Sequence, residues 1–388
     1  MFSLHFPQYF TKKVREEIGE LYAHSAIANT ALSMMAIFEP IFLYAGLGFT
    51  INQILFFTII IYGTYIVFLP LGGKVASQYG YKHSIAISVP FQILYWMMLV
   101  ASQQNHNLAF YAAPLYGLSK TFYWPGFHSL MARYSDRGQV GREFGLVYSL
   151  ISLTLIAGPL LAGFLSQRFG FTIMFIVTAA IYSFSIFPLF RAKEIFLPKI
   201  YKFKDTLEIY KSFPNKFFGY LGFGEEVLVM NVWPVFIFLI VKNYEGAGSL
   251  ATISSLIAAI LALIVGKITD QYGKRVLIKI GAFFTAIIWL GRMIATNFWN
   301  TFFIDALSRT AKELAFIPIS TVTYIRAENT HVVPYIIFFE QSLAIGKLLA
   351  CLAGMIVFTI FSGLFGLGIG FVALFILGAL FSLLYMLI

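Results

Sequence analysis

The chain has 388 residues, of which 59% are hydrophobic and 11% charged, with a net charge of +10. A typical soluble domain carries roughly 25% charged residues, so this chain lacks the polar surface to cover itself in water. That excludes an ordinary soluble enzyme, and the recurrence of long apolar runs points to a polytopic, all-α membrane protein, since about 20 apolar residues span a bilayer as a helix. A transmembrane β-barrel would need a period-two alternation instead.

Taken in order, residues 1–20 are polar with scattered aromatics, and Phe10, Val14, Ile18 and Leu21 recur at near-helical spacing, which suggests a short interfacial helix. No cleavable signal peptide is evident. Twelve spans follow, at about 21–46, 51–73, 83–102, 107–132, 143–166, 171–190, 216–241, 248–268, 276–296, 299–325, 334–361 and 365–388. The longest polar connection, 191–215, falls at mid-chain and divides an N-terminal bundle (1–190) from a C-terminal one (216–388). It is rich in Lys, with Pro198 and Pro214, and reads as a cytoplasmic linker.

The basic residues fix the expected orientation. The N-terminal tail, the linker and every second loop hold most of the 27 Lys and Arg, whereas the alternate loops hold only Arg168 and Lys242. By the positive-inside rule both termini and the linker are cytoplasmic. The basic excess is therefore a topology signal and not a nucleic-acid-binding surface. The expected setting is the cell (inner) membrane, in contact with lipid, as a monomer.

An internal echo organises the chain. Gly73-Lys74-Val75-Ala76-Ser77-Gln78-Tyr79-Gly80-Tyr81-Lys82 returns as Gly266-Lys267-Ile268-Thr269-Asp270-Gln271-Tyr272-Gly273-Lys274-Arg275, and Pro125 returns as Pro318 at the same offset of 193, about half the chain. Such self-similarity signals a duplication. The two loops resemble the cytoplasmic signature of the major facilitator superfamily, lying between the second and third span of each half. The second copy matches it at Gly266, Asp270, Gly273, Lys274 and Arg275; the first keeps Gly73, Lys74, Gly80 and Lys82 but has Ser77 in place of the acid and Tyr81 in place of a basic residue. Ala157-Gly158-Pro159-Leu160-Leu161-Ala162-Gly163 resembles, in part, the Gly-Pro motif of antiporters in that family, with Gly158, Pro159 and Gly163 as its matching positions. The resemblance implies two six-helix bundles around a central cavity and transport by alternating access.

Charges inside the spans each need a reason, since they cost several kcal/mol at the bilayer centre. Glu39, next to Pro40 in the first span, is expected to exchange protons in the cavity, as are Glu225 and Glu226 in the seventh. Adjacent helical residues point about 100° apart, so only one of that pair should face the cavity fully. Lys120 is related by the 193-residue offset to Glu313 and is expected at the cavity, paired with Glu313, with Glu39 or with a seventh-span acid, or holding one end of a solute. Asp305, Arg309 and Lys312 in the tenth span, with Glu340 and Lys347 seven apart in the eleventh, read as a structural ion-pair network. Arg292 is expected to snorkel outward or to join it.

Tyr123, Trp124, Asn231 and Trp233 complete the expected cavity, whose aromatic lining suits an amphipathic organic solute. The sequence carries no P-loop, no metal-spaced His/Cys cluster and no nucleophile elbow, so neither a cofactor nor enzymatic activity is expected; Cys351 reads as a buried apolar residue. The resulting expectation is proton-coupled export of an amphipathic or cationic compound. The alternatives are an importer or uniporter of a polar metabolite, and a non-transporting receptor, scaffold or lipid translocator on the same fold.

Overall fold

The computed structural model describes residues 12–134, 140–191, 194, 198–271 and 273–388, with side chains described outside 12–18, 133–134, 140–155, 262–263, 266–267 and 270–271. Among these residues the secondary structure is helical throughout. The elements are α1 (Lys12–Ile41), α2 (Ile51–Tyr79), α3 (Tyr81–Ala101), α4 (Leu108–Tyr134), α5 (Val140–Phe184), α6 (Phe203–Ser212), α7 (Pro214–Tyr220), α8 (Gly224–Val241), α9 (Tyr244–Gln271), α10 (Lys274–Gly291), α11 (Phe298–Asn329), α12 (Val332–Phe365) and α13 (Leu367–Leu383).

Local chemistry explains most boundaries. Thr50 and Gln53 form a reciprocal capping box at the start of α2, and Asn297 and Asn300 do the same for α11. Gly80 turns α2 into α3 at φ 109°, a conformation that side chains with a Cβ resist. Gly170, at φ 78° and ψ 170°, breaks α5 into two limbs that correspond to the fifth and sixth expected spans. The helix already runs at Lys12, so the described part of the expected interfacial segment is the start of α1. The linker is not wholly extended: α6 buries Thr206 and Ile209, sets the Tyr210 ring edge-on to Phe338 at 4.7 Å and is thereby docked on α12.

Nine stretches among the described residues are long and apolar enough to cross a membrane, one of them, Ile156–Phe190, containing the break at Gly170. The long helices outside that set are α4 and α11, which carry Lys120 and Asp305, Arg309, Lys312 and Glu313. Polar helices of this kind are tolerated when they face protein or a water-accessible cavity.

The helices before the linker pack mainly on one another, as do those after it, and the two sets meet chiefly where α5 packs on α9 and α2 on α12, with smaller contacts of α1 on α8 and of α4 on α12 and α11. Small residues let the first seam close. A Cβ at Gly163 would stand 2.8 Å from the Tyr244 carbonyl oxygen, and one at Gly248 would overlap the Pro159 carbonyl. A Cβ at Gly158 would overlap the Ser33 hydroxyl of α1. Close backbone approach through such residues is how helices associate in lipid, where apolar burial alone gives no preference.

Candidate functional site

A cavity of about 360 Å³ lies between the two sets of helices. Its wall on α1 is built around a local break. Pro40 has no amide proton for the Ala36 carbonyl, and the helix passes into a π-helical turn over Phe42–Gly46. Ala36, Glu39 and Pro40 all line the cavity there.

In the same half of the chain, α4 presents Tyr116, Lys120, Trp124 and His128, four residues apart and so on one helix face. The Lys120 ammonium is held by rings: 4.5 Å from the centre of Tyr116, 5.5 Å from Tyr62 and 6.0 Å from Trp124. Cation–π contacts of this kind contribute about 0.5–2 kcal/mol. Among the described residues neither Glu39 nor Lys120 has an ion-pair partner within salt-bridge distance.

The acids of α8 are treated differently. Glu226 lines the cavity and is gripped by Lys312 of α11 at 2.8 Å and Lys347 of α12 at 2.7 Å. Glu225 points away into the helices after the linker, where it meets Lys312 at 3.2 Å and accepts hydrogen bonds from Trp289 at 3.1 Å and Tyr385 at 3.2 Å. The 100° between adjacent positions thus separates one cavity carboxylate from one internal one.

A third group lies toward the linker side. Glu340 of α12 accepts a hydrogen bond from the Tyr65 hydroxyl at 2.7 Å and stands 2.9 Å from His128 Nε2, while His128 Nδ1 is 2.6 Å from the Tyr324 hydroxyl. Glu340 and His128 both line the cavity.

Several expected site residues are placed elsewhere. Tyr123 is buried among the helices before the linker, stacked on Phe127 and edge-on to Trp124, which alone of that adjacent pair reaches the cavity. Trp233 does not line the cavity; it is buried after the linker and donates to Asp305 at 2.9 Å. Glu313 does not line the cavity, and one of its carboxylate oxygens is buried without a hydrogen-bond partner among the described residues. Asn231 does line it. The expected single network resolves into separate groups: Asp305 pairs with Arg309 at 2.8 Å, Lys312 and Lys347 serve the acids of α8, and Glu340 turns to His128. Arg292 does not snorkel, and among the described residues it joins no ion pair; it is fully buried, 3.5 Å above Trp289, and donates to Ser308.

The signature loops also differ from expectation. Gly266 and Asp270 are described only in their backbone, whereas Gly273 caps α10 and Lys274 and Arg275 open it. In the first copy, where Ser77 leaves no acid, Glu194 of the linker supplies one: its carboxylate accepts from the Tyr81 and Lys82 amides at 2.6 and 3.2 Å, at the N-terminus of α3. Negative charge is favoured there by the helix dipole. A Cβ at Gly80 would collide with that carboxylate. Lys82 is paired with Glu20 in a buried contact of 2.6 Å, and Gly73 leaves room for Ile337 of α12, while Lys74 remains solvent-exposed.

Sequence reasoning missed His128, Tyr65 and Glu194. The four-residue spacing from Tyr116 through Lys120 and Trp124 to His128 was a usable signal for the first; nothing local marked the other two, whose partners are 275 and 113 residues away. Among the described residues no group of three or more His, Cys, Asp or Glu side chains is placed to hold a metal ion.

A sequence profile described as the Major Facilitator Superfamily matches residues 22–304. Among solved structures, the human organic anion transporter MFSD10 (TETRAN) is similar at a TM-score of 0.68 and 14% identity, over 97% of this chain and 100% of that one. The Major Facilitator Superfamily transporter FucP, in its outward conformation, is similar at a TM-score of 0.68 and 10% identity, over 95% and 96% of the two chains. At these identities the likeness is one of fold. A search of curated proteins gives no match.

Proposed function

Because the chain belongs to the Major Facilitator Superfamily, we propose that it is a secondary active transporter in which Glu39 exchanges protons with the bulk and thereby couples solute movement to the proton gradient. One observation carries this reading: Glu39 is the cavity carboxylate with no basic side chain bonded to it among the described residues. Glu226 is committed to two lysines and Glu340 to His128 and Tyr65, so neither is as readily exchanged between proton and solute. In this reading the linker side is cytoplasmic, on the distribution of Lys and Arg, and residues before and after the linker form two bundles that rock about the cavity.

The solute we propose is an amphipathic organic compound with a cationic group. Its apolar body fits the rings of Tyr62, Trp96, Tyr116 and Trp124, and its cation competes with a proton for Glu39. Protonated Glu39 and solute-loaded Glu39 are both neutral, so either permits reorientation; the bare carboxylate does not. The α5–α9 seam, where Gly163 and Gly248 let the backbones approach closely, supports a tightly closed contact between the bundles there.

Lys120 favours a second reading. An ammonium held only by rings is available to an anionic group, and MFSD10, which shares the fold, is described as an organic anion transporter. The test is solute-dependent proton movement in proteoliposomes under an imposed pH gradient, screening lipophilic cations, organic acids and sugars. A cation that moves protons in the wild type but not in Glu39→Gln supports the first reading. An organic acid whose flux needs Lys120 supports the second. Solute equilibration without proton movement in the wild type would overturn proton coupling altogether.

A further inference from the structure

We propose that His128 and Glu340 form the gate that closes the cavity on the linker side, acting as positioning residues for alternating access. This rests on the transporter reading above but not on proton coupling. The pair joins the two halves of the chain: His128 and Tyr65 come from α4 and α2, Glu340 and Tyr324 from α12 and α11. Every polar contact in the group that is given above crosses between those halves. Rocking that opened the linker side would have to break all of them together, whereas rocking that opened the other side would leave them intact.

The chemistry suits a latch. A carboxylate bonded to an imidazole at 2.9 Å and a phenol at 2.7 Å makes charge-assisted hydrogen bonds, which are stronger than neutral ones. The imidazole has both nitrogens engaged, so its ring is oriented by Tyr324 as it meets Glu340. The charged or titratable groups facing the pair are Tyr65 from α2, Tyr324 from α11 and Lys347 from the same helix as Glu340. Lys347 is itself bonded to Glu226 at 2.7 Å, so among the described residues His128 is the basic side chain bonded to Glu340, beside the Tyr65 hydroxyl.

The latch is also wired to the cavity. Trp124 stacks on His128 with ring centres 5.1 Å apart and 17° between planes, and the same indole lies under the Lys120 ammonium. A solute seated against Trp124 therefore presses on the ring stacked with the gate histidine. Occupancy and gate position share one side chain.

Access can be read without any solute. Cys351 is the sole cysteine and is buried, so Cys351→Ala gives a clean background for Ala36→Cys, a position on the cavity wall. Labelling by a membrane-impermeant maleimide is followed in sealed right-side-out and inverted vesicles. Glu340→Gln and His128→Ala are expected to raise linker-side labelling about tenfold, the scale of one lost charge-assisted hydrogen bond, with far-side labelling unchanged or lower. Tyr65→Phe and Tyr324→Phe, which keep ring volume and fold, are expected to give smaller rises on the same side. Equal rises from both sides would mean general loosening and overturn the proposal. Unchanged labelling in the two tyrosine variants and in whichever of the other two folds would overturn it as well. Because labelling reports access and not flux, a failed proton-coupling assay leaves this test standing.

Discussion

The two walls of the cavity carry similar charges in opposite states. On the wall formed by α1 and α4, Glu39 and Lys120 face the cavity without ion-pair partners among the described residues; on the wall formed by α8, α11 and α12, Glu226 is held by Lys312 and Lys347 at 2.8 and 2.7 Å. Residue type does not separate these cases, because both are glutamates lining one cavity. Partnership does. A carboxylate bonded to two ammonium groups is part of the scaffold, and one without such bonds is available to a proton or a solute.

Neutral substitutions break or sharpen this contrast. The largest loss is expected for Glu226→Gln, which strips Lys347 of its carboxylate and leaves a buried cation uncompensated, at about 3–5 kcal/mol. Thermal unfolding in detergent should show it, and the double variant Glu226→Gln/Lys347→Met should recover most of it, since removing both partners of a buried pair is nearly neutral. A wild-type midpoint for the single variant would remove the distinction between the walls. Glu225→Gln comes next: it weakens the bonds from Trp289, Tyr385 and Lys312 and should cost about 1.5–3 kcal/mol in the same assay. Lys120→Gln gives up only ring contacts, about 0.5–2 kcal/mol, and its main effect should appear as weaker solute binding. Smallest of all should be Glu39→Gln, which breaks no ion pair and should leave the unfolding midpoint near that of the wild type.

Much of the fold was readable from the chain because its spans are set by local rules. Apolar runs, the capping boxes at Thr50 and Asn297 and the turn at Gly80 need only neighbours in sequence. The family was readable for the same reason, since the echoing loops at 73–82 and 266–275 are short and contiguous. Pairing was not. Glu340 and Lys347, seven apart on one helix face, suggested partners for Asp305, Arg309 and Lys312 in one network, but Glu340 meets His128 and Lys347 meets Glu226. Glu225 and Glu226 could be told to diverge, yet only the packing of α8 against α11 and α12 decides which faces the cavity. The missing acid beside Ser77 arrives as Glu194, from a linker whose docking no local pattern encodes. Depth and residue type are properties of a helix; a partner is a property of the assembled bundle.

The most direct test of the central claim is proton movement in proteoliposomes for the wild type, Glu39→Gln and the Glu226→Gln/Lys347→Met pair, each driven by the solute that the wild-type screen identifies. The account predicts that solute still exchanges across the membrane in Glu39→Gln but no longer moves protons, while the double variant keeps proton coupling. Coupling that survives in Glu39→Gln and disappears in the double variant would contradict it, and would make the paired wall, not the bare one, the site where protons are exchanged.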